Sequence, residues 1–160
     1  MEQLYSIASR RILQNKKELE VALKVKITSR NGILEISGTP EDEFLALEVI
    51  EAINLGFTTK EALEIKNLEN TFANINIKDA TRRKDLVHIR ARLIGTRGKV
   101  LSHIGNLTEC KLALHDNLIG IIGKIEDVDI ATQGIRKLTN GSTHSKVYTF
   151  IERRYSERGL

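Results

Sequence analysis

The chain contains no tryptophan, a single cysteine, a single proline and a single methionine, and its aromatic residues amount to only 4%. One cysteine, Cys110, excludes an internal disulfide and fits a reducing compartment. No apolar run approaches the ~18 residues that span a bilayer. The N-terminal MEQLYSIASRR lacks the apolar stretch of a secretory signal. Both absences point to a cytoplasmic protein with no membrane partner. The histidines, His88, His103, His115 and His144, have neither zinc spacing nor cysteine company, so no metal is expected. Ser142-Thr143-His144-Ser145 has no carboxylate or oxyanion feature beside it and reads as a helix cap. Neither catalysis nor a cofactor is expected.

What is present is an ordinary globular composition, 41% hydrophobic and 29% charged, with its charge unevenly spread. Residues 1–70 hold 9 Lys and Arg against 12 Asp and Glu, a net of −3; residues 71–160 hold 16 against 9, a net of +7, giving +4 overall. A basic half joined to an acidic half points to a polyanionic partner for the basic half alone. The same boundary separates two copies of one unit. At an offset of 85 residues Ile36 meets Ile121, Gly38 meets Gly123, and Glu41-Asp42 meets Glu126-Asp127. Ala46, Ile50, Gly56 and Thr58 likewise meet Ala131, Ile135, Gly141 and Thr143. A register shared without a gap marks a tandem pair of domains, 1–70 and 71–160.

In the first copy a helix containing residues 16–23 precedes a strand at 24–28. Arg30-Asn31-Gly32 turns into a second strand at 33–37, the Asn-Gly pair being a hairpin signal. Thr39-Pro40-Glu41-Asp42 opens a helix with Thr39 as N-cap, and Gly56 stops it. Phe44, Leu47, Ile50 and Ile53 recur at helical spacing as its apolar face. The second copy reads as a strand at 71–79 and a helix at 80–94 with Leu86, Ile89, Leu93 and Ile94 on one side. A glycine loop, a short helix at 99–107, strands at 110–114 and 118–123, a helix at 126–139 and a final helix opened by Gly141-Ser142-Thr143 follow. The order β-α-loop-α-β-β-α with an extra C-terminal helix is an α+β unit on a three-stranded sheet. Cys110 stands where the first copy has Val25 and reads as core. Glu126-Asp127-Asp129, like Glu41-Asp42-Glu43, reads as acids favouring a helix N-terminus.

The loop between the two helices is Gly95-Thr96-Arg97-Gly98. A bare Gly-x-x-Gly is a weak signal, and a second, Gly120-Ile121-Ile122-Gly123, falls in a strand and reads as structural. The first differs by its place. Two glycines let a phosphodiester chain approach the backbone, the following helix offers unpaired N–H groups and its positive dipole end, and Arg97 and Lys99 add charge. The stretch Arg92-Leu93-Ile94-Gly95-Thr96-Arg97-Gly98-Lys99 resembles the KH-domain signature, and the element order is that of the type I KH fold. Gly141-Ser142-Thr143-His144-Ser145-Lys146-Val147-Tyr148 is similar to one KH family, the archaeal two-domain relatives of the pre-ribosomal "partner of Nob-one" factor. The resemblance covers nearly the whole chain.

That resemblance implies single-stranded RNA binding. Gly95, Thr96, Arg97 and Gly98 would clamp the backbone of about four nucleotides. Ile94, Lys99, Val100 and His103 would form one wall of a groove, and Lys111, Leu112 and Ala113 the other. Bases on aliphatic side chains suit a chain with 4% aromatics, which argues against a sheet of stacking rings. The implied target is small-subunit ribosomal RNA, in its 3′ region, during ribosome biogenesis. Assembly or translation-initiation proteins are the implied partners of the acidic first domain. A general RNA-binding adaptor or chaperone of the translation machinery stays open; a nuclease would need clustered carboxylates or a nucleophile–base pair near the loop, and there is neither. Arg82-Arg83-Lys84 and Arg153-Arg154 read as solvated faces or peripheral phosphate contacts. The first copy departs from the pattern: the offset puts Arg10-Arg11-Ile12-Leu13 at the loop, without glycine, and puts the first strand before Met1. It is expected to be a degenerate KH-like domain lacking both features, used for packing or protein contact.

Overall fold

The backbone repeats at the same offset as the sequence. Lys24 and Glu109 both take left-handed conformations (φ 57° and 54°), as do Asn31 and Asp116 (53° and 51°). Gly56 and Gly141 both have positive φ (124° and 102°). A side chain in the left-handed region costs about 1–2 kcal/mol, so its recurrence at matched positions reflects matched turns. The computed structural model describes residues 3–5 and 10–158, which fall into two units divided between Asn67 and Leu68.

The first unit runs β1 (Gln3–Tyr5), α1 (Arg10–Gln14), α2 (Lys16–Leu23), β2 (Lys26–Arg30), β3 (Ile33–Ser37), α3 (Pro40–Leu55) and α4 (Thr59–Leu63). Its antiparallel sheet has the order β1-β3-β2. Asn31 and Gly32, both at positive φ, make the two-residue turn that matches strand twist. Alternation buries Ile27, Leu34 and Ile36 on one face and leaves Lys26, Thr28 and Ser37 exposed. The Thr39 hydroxyl accepts the Asp42 N–H at 3.2 Å and caps α3. The buried stripe of α3 is Ala46, Val49, Ile50 and Ile53; Phe44 is 64% exposed and Leu47 half-buried. The expected face is thus rotated, because the 46/49/50/53 spacing follows the helical period more closely than 44/47/50/53.

The second unit runs β4 (Asn70–Asn76), α5 (Ile77–Ala80), α6 (Leu86–Ile94), α7 (Lys99–Thr108), β5 (Lys111–His115), β6 (Leu118–Lys124), α8 (Ile125–Thr139) and α9 (His144–Glu157). Its sheet order, β4-β6-β5, repeats the first. The register repeats too, Ile27 facing Ile36 as Leu112 faces Ile121. Ile75, Ile89, Leu93, Ile104, Ile121, Ile135 and Ile151 bring sheet and helices into one core.

Three expectations need correction. The first unit does have its first strand: Gln3 lies opposite Ile36 as Ala73 lies opposite Ile121. Gln3 and Ile36 are 33 residues apart, Ala73 and Ile121 48, so the first unit makes the same pairing with 15 fewer residues. A fixed offset could not find a strand displaced by a deletion. The helix expected over 80–94 begins only at Leu86. Upstream, Asn76 caps Lys78 N–H (3.0 Å), Thr81 Oγ1 accepts Arg83 N–H (3.2 Å) and Arg83 pairs with Asp85 (3.0 Å). These local bonds compete with helix formation, and the Arg83 hydrogen bond holds the Asp85 carboxyl below its ordinary range. Finally, the acids at the start of α8 do more than complement a helix end. Asp127 is buried and accepts the Tyr155 hydroxyl (2.7 Å) and an Arg158 guanidinium N–H (3.2 Å). Asp129 pairs with Arg154 at 3.8 Å. They fasten α9 to α8.

The strand glycine at 123 is structural, as expected. A Cβ there would lie 2.8 Å from the Cys110 Sγ, and burial pushes the Cys110 thiol up to about 11. Gly123→Ala should therefore destabilise the chain by about 1–3 kcal/mol through overpacking, and Cys110→Ala in the same chain should recover most of that loss. A double-mutant cycle by urea unfolding reads the coupling; strictly additive losses would exclude the sulfur contact as the cause.

Candidate nucleic-acid interface

The turn from α6 to α7 is built from conformations that most residues avoid. Gly95 sits at φ 73°, ψ −179°, a region open essentially to glycine alone. A Cβ on it would stand 2.3 Å from Val100 Cγ2 and 3.1 Å from the Val100 nitrogen. Arg97 (57°, 32°) and Gly98 (73°, 14°) follow in left-handed geometry, and the Gly98 N–H closes the turn on the Gly95 carbonyl at 3.3 Å. Nothing lies within 4 Å of a Cβ at Gly98. The two glycines therefore do different work: Gly95 admits Val100 from below, and Gly98 leaves open backbone above. Gly98 is also the N-cap of α7 and supplies no side-chain acceptor, so the first amide groups of that helix lack a side-chain cap. Thr96, Arg97 and Lys99 are all exposed there.

The opposite wall is β5, an edge strand bonded to β6 alone. Its outer row of N–H and C=O groups lies outside the ladder. α7 runs close beside the start of β5: a Cβ on Gly105 would meet the Cys110 carbonyl at 3.0 Å and Leu112 Cδ1 at 3.9 Å. Lys111 is exposed, and Leu112 and Ala113 are half-buried. Ile94 is 40% exposed at the end of α6.

Two expected wall residues lie elsewhere. Val100 is buried (5% exposed) and is the floor under Gly95. His103 is exposed but turned toward α9, its ring edge-on to Tyr148 with centroids 4.3 Å apart. Helix pitch explains both. Residues four apart share a face, so Val100 and Ile104 point inward, Leu101 shares the β5 side with Gly105, and Lys99 and His103 share the flank toward α9.

Arg92, His144 and Tyr148, quoted from the sequence only within motifs and given no place in the groove, lie at this flank. The Arg92 guanidinium donates to the Ser142 carbonyl (2.7 Å), and His144 Nε2 donates back to the Arg92 carbonyl (3.1 Å). The ring of His144 stacks near that of Tyr148, with centroids 6.4 Å apart. An open pocket of about 560 Å³ lies between Arg92, Gly95, Thr96, Lys99 and His144. The repeat held a signal for the acceptor and not for Arg92 itself. Ser142 matches Phe57, whose carbonyl accepts Arg11 Nη1 at 3.0 Å in the first unit. That Arg11 sits in α1, where the offset places the loop; Ile12, matching Arg97, is fully buried. The first unit has helix and core where the second has an open turn.

The family described as the eukaryotic-type KH domain (KH-domain type I), in its PNO1 second-domain form, matches residues 71–156. A KH domain-containing protein of Methanocaldococcus jannaschii is 31% identical over 145 residues, covering 86% of this chain and 64% of that protein. The RNA-binding protein pno1 of Drosophila melanogaster is 29% identical over 147 residues, covering 85% and 61%. The chain thus spans less than two thirds of either relative's length. A crystal structure of Dim2p from Pyrococcus horikoshii OT3 superposes with TM-score 0.85 at 29% identity, over 96% of this chain and 99% of that one. The Dim2p of an a/eIF2alpha–aDim2p–rRNA complex from the same organism superposes with TM-score 0.87 at 29% identity, over 98% and 95%.

The unequal glycines give a test by thermal or urea unfolding. Gly98→Ala should cost about 1 kcal/mol, the left-handed penalty alone. Gly95→Ala should cost distinctly more, since it adds the Val100 clash to a backbone region closed to alanine. Equal losses would mean that Val100 does not support the turn.

Proposed function

The chain belongs to the type I KH family in its PNO1 form, and from that premise we propose that it binds single-stranded ribosomal RNA, in the 3′ region of the small-subunit molecule, during ribosome biogenesis. The observation that carries this reading is the Gly95–Gly98 turn: backbone open at Gly98, three exposed polar or cationic side chains, and an uncapped helix start at one point. Relatives named RNA-binding protein and pre-rRNA-processing protein, and a structural neighbour solved with rRNA, support the choice of ligand. Gly95, Thr96, Arg97, Gly98 and Lys99 hold phosphates. Ile94, Leu112 and Ala113 offer aliphatic surface to bases, whose Watson–Crick edges reach the free backbone row of β5, and Lys111 adds a cation at its end. Val100 acts by holding the turn. The protein performs no reaction on the RNA and needs no cofactor.

The first unit reads as a second, degenerate KH domain, so that the chain is a tandem pair. It keeps the sheet and its register and replaces the turn by a helix with Ile12 in the core. Its net negative charge disfavours RNA, and it serves as a contact for an assembly or translation-initiation protein; a neighbour solved together with a/eIF2alpha supports that class of partner. The proposed setting is the cytoplasm.

Thr96→Asp with Arg97→Asp places two carboxylates at the phosphate clamp and should abolish binding of a small-subunit rRNA 3′-end oligonucleotide, while the unfolding midpoint stays unchanged. Wild-type affinity should fall with log salt at about −0.7 per phosphate contacted, and a duplex of the same sequence should compete poorly. Undiminished binding by a folded double variant removes the turn from the site. Equal binding of scrambled strands removes only the ribosomal target.

A further inference from the structure

We propose that the RNA strand leaves the groove over the α9 flank of the glycine turn, where a second subsite takes the phosphate and base of one further nucleotide. This deepens the RNA-binding reading and rests on it. The pocket there, about 560 Å³, is within the size range of small-ligand sites. It shares Gly95, Thr96 and Lys99 with the turn and adds Arg92 and His144; no carboxylate is among its lining residues. The anion has three donors of suitable chemistry. Lys99 is exposed. Arg92 commits Nη2 to the Ser142 carbonyl, leaving the rest of its five-donor fork. The Thr96 hydroxyl stands at the rim.

Recognition of the base comes from rings. His144 lines the pocket and lies nearly parallel to Tyr148, at 25° between planes. Lys99 lines it too, and one turn along α7 from Lys99 is His103, edge-on to the same tyrosine. Three of the chain's few flat rings thus form one cluster, His144 in the pocket lining and Tyr148 and His103 joined to it by ring contacts. Burial alone pushes the Tyr148 hydroxyl above its ordinary range, and the structure gives that hydroxyl no hydrogen bond, so the residue is held by its ring. His144 needs its Nε2 proton for the Arg92 carbonyl, since a carbonyl only accepts; Nδ1 keeps no hydrogen bond among the described residues. A cationic groove flanked by stacking platforms is the arrangement by which proteins follow a single strand.

The test uses the full chain and 2-aminopurine placed singly at each position of a small-subunit rRNA 3′-end oligonucleotide of ten nucleotides. In the wild type, 2-aminopurine at one position flanking the groove nucleotides should be quenched by stacking. Tyr148→Ala with His103→Ala should abolish that quench and weaken the ten-nucleotide strand about tenfold, within the range for one stacked base. Tyr148→Phe alone, which keeps the ring, should retain both. A strand shortened to exclude the quenched position should bind wild type and double variant alike. Quenching that survives the double variant, or an equal loss on long and short strands, overturns the subsite. Failure of the parent reading looks different: no wild-type binding to any strand, or binding untouched by Thr96→Asp with Arg97→Asp.

Discussion

The contact of Val100 with Gly95 is the constraint from which the rest of the site follows. One methyl group, placed where a Cβ would otherwise be, forces position 95 to be glycine and its backbone to be extended at positive φ. The chain then has to recover its direction within three residues, which it does by putting Arg97 and Gly98 into left-handed geometry. The cost of that geometry at Arg97, about 1 kcal/mol, is offset by the packing of Val100 beneath it. The outcome is a turn whose polar side chains all project outward, because its one apolar support comes from below.

Much of this was legible in the sequence, for identifiable reasons. Asn31-Gly32, Thr39-Pro40 and Thr143 announced a hairpin and two helix starts because their chemistry is local, and the structure realises each of them. Gly95 was legible as special, but for an incomplete reason: approach of a ligand was anticipated, whereas contact with Val100 needs the third dimension. Val100 and His103, which the family resemblance put on the groove wall, lie under Gly95 and beside Tyr148, because a helix turns neighbours 100° apart. The break at 81–85 went unseen because Thr81, Arg83 and Asp85 satisfy one another through side chains that also occur within helices. The strand at Gln3–Tyr5 was lost to an alignment that assumed equal spacing.

An arginine reaching the carbonyl after a helix-ending glycine recurs in both units, from Arg11 in one and Arg92 in the other. These arginines are not equivalent by the 85-residue offset, so the bond is matched at its acceptor and not at its donor. The hinge between the last two helices exposes carbonyls that the turn leaves unpaired, and each unit meets that need from whichever helix is near. In the second unit the same bond ties the base of the glycine turn to α9, so the packing of the terminal helix is continuous with the geometry of the turn. Asp127, held by Tyr155 and Arg158, anchors the far end of that helix.

The fifteen-residue difference between the units amounts to a deletion experiment carried out within one chain. The shorter unit retains three strands in the same register, the same left-handed helix ends and the same hinge, and has only the short α1, with Ile12 in the core, where the longer one has α6 and the glycine turn. The architecture is therefore partitioned: a frame that closes its own core, and a cassette inserted into it that bears the exposed backbone and the positive charge. A chain of two such units is free to vary one cassette while the register of the sheet keeps the frame intact.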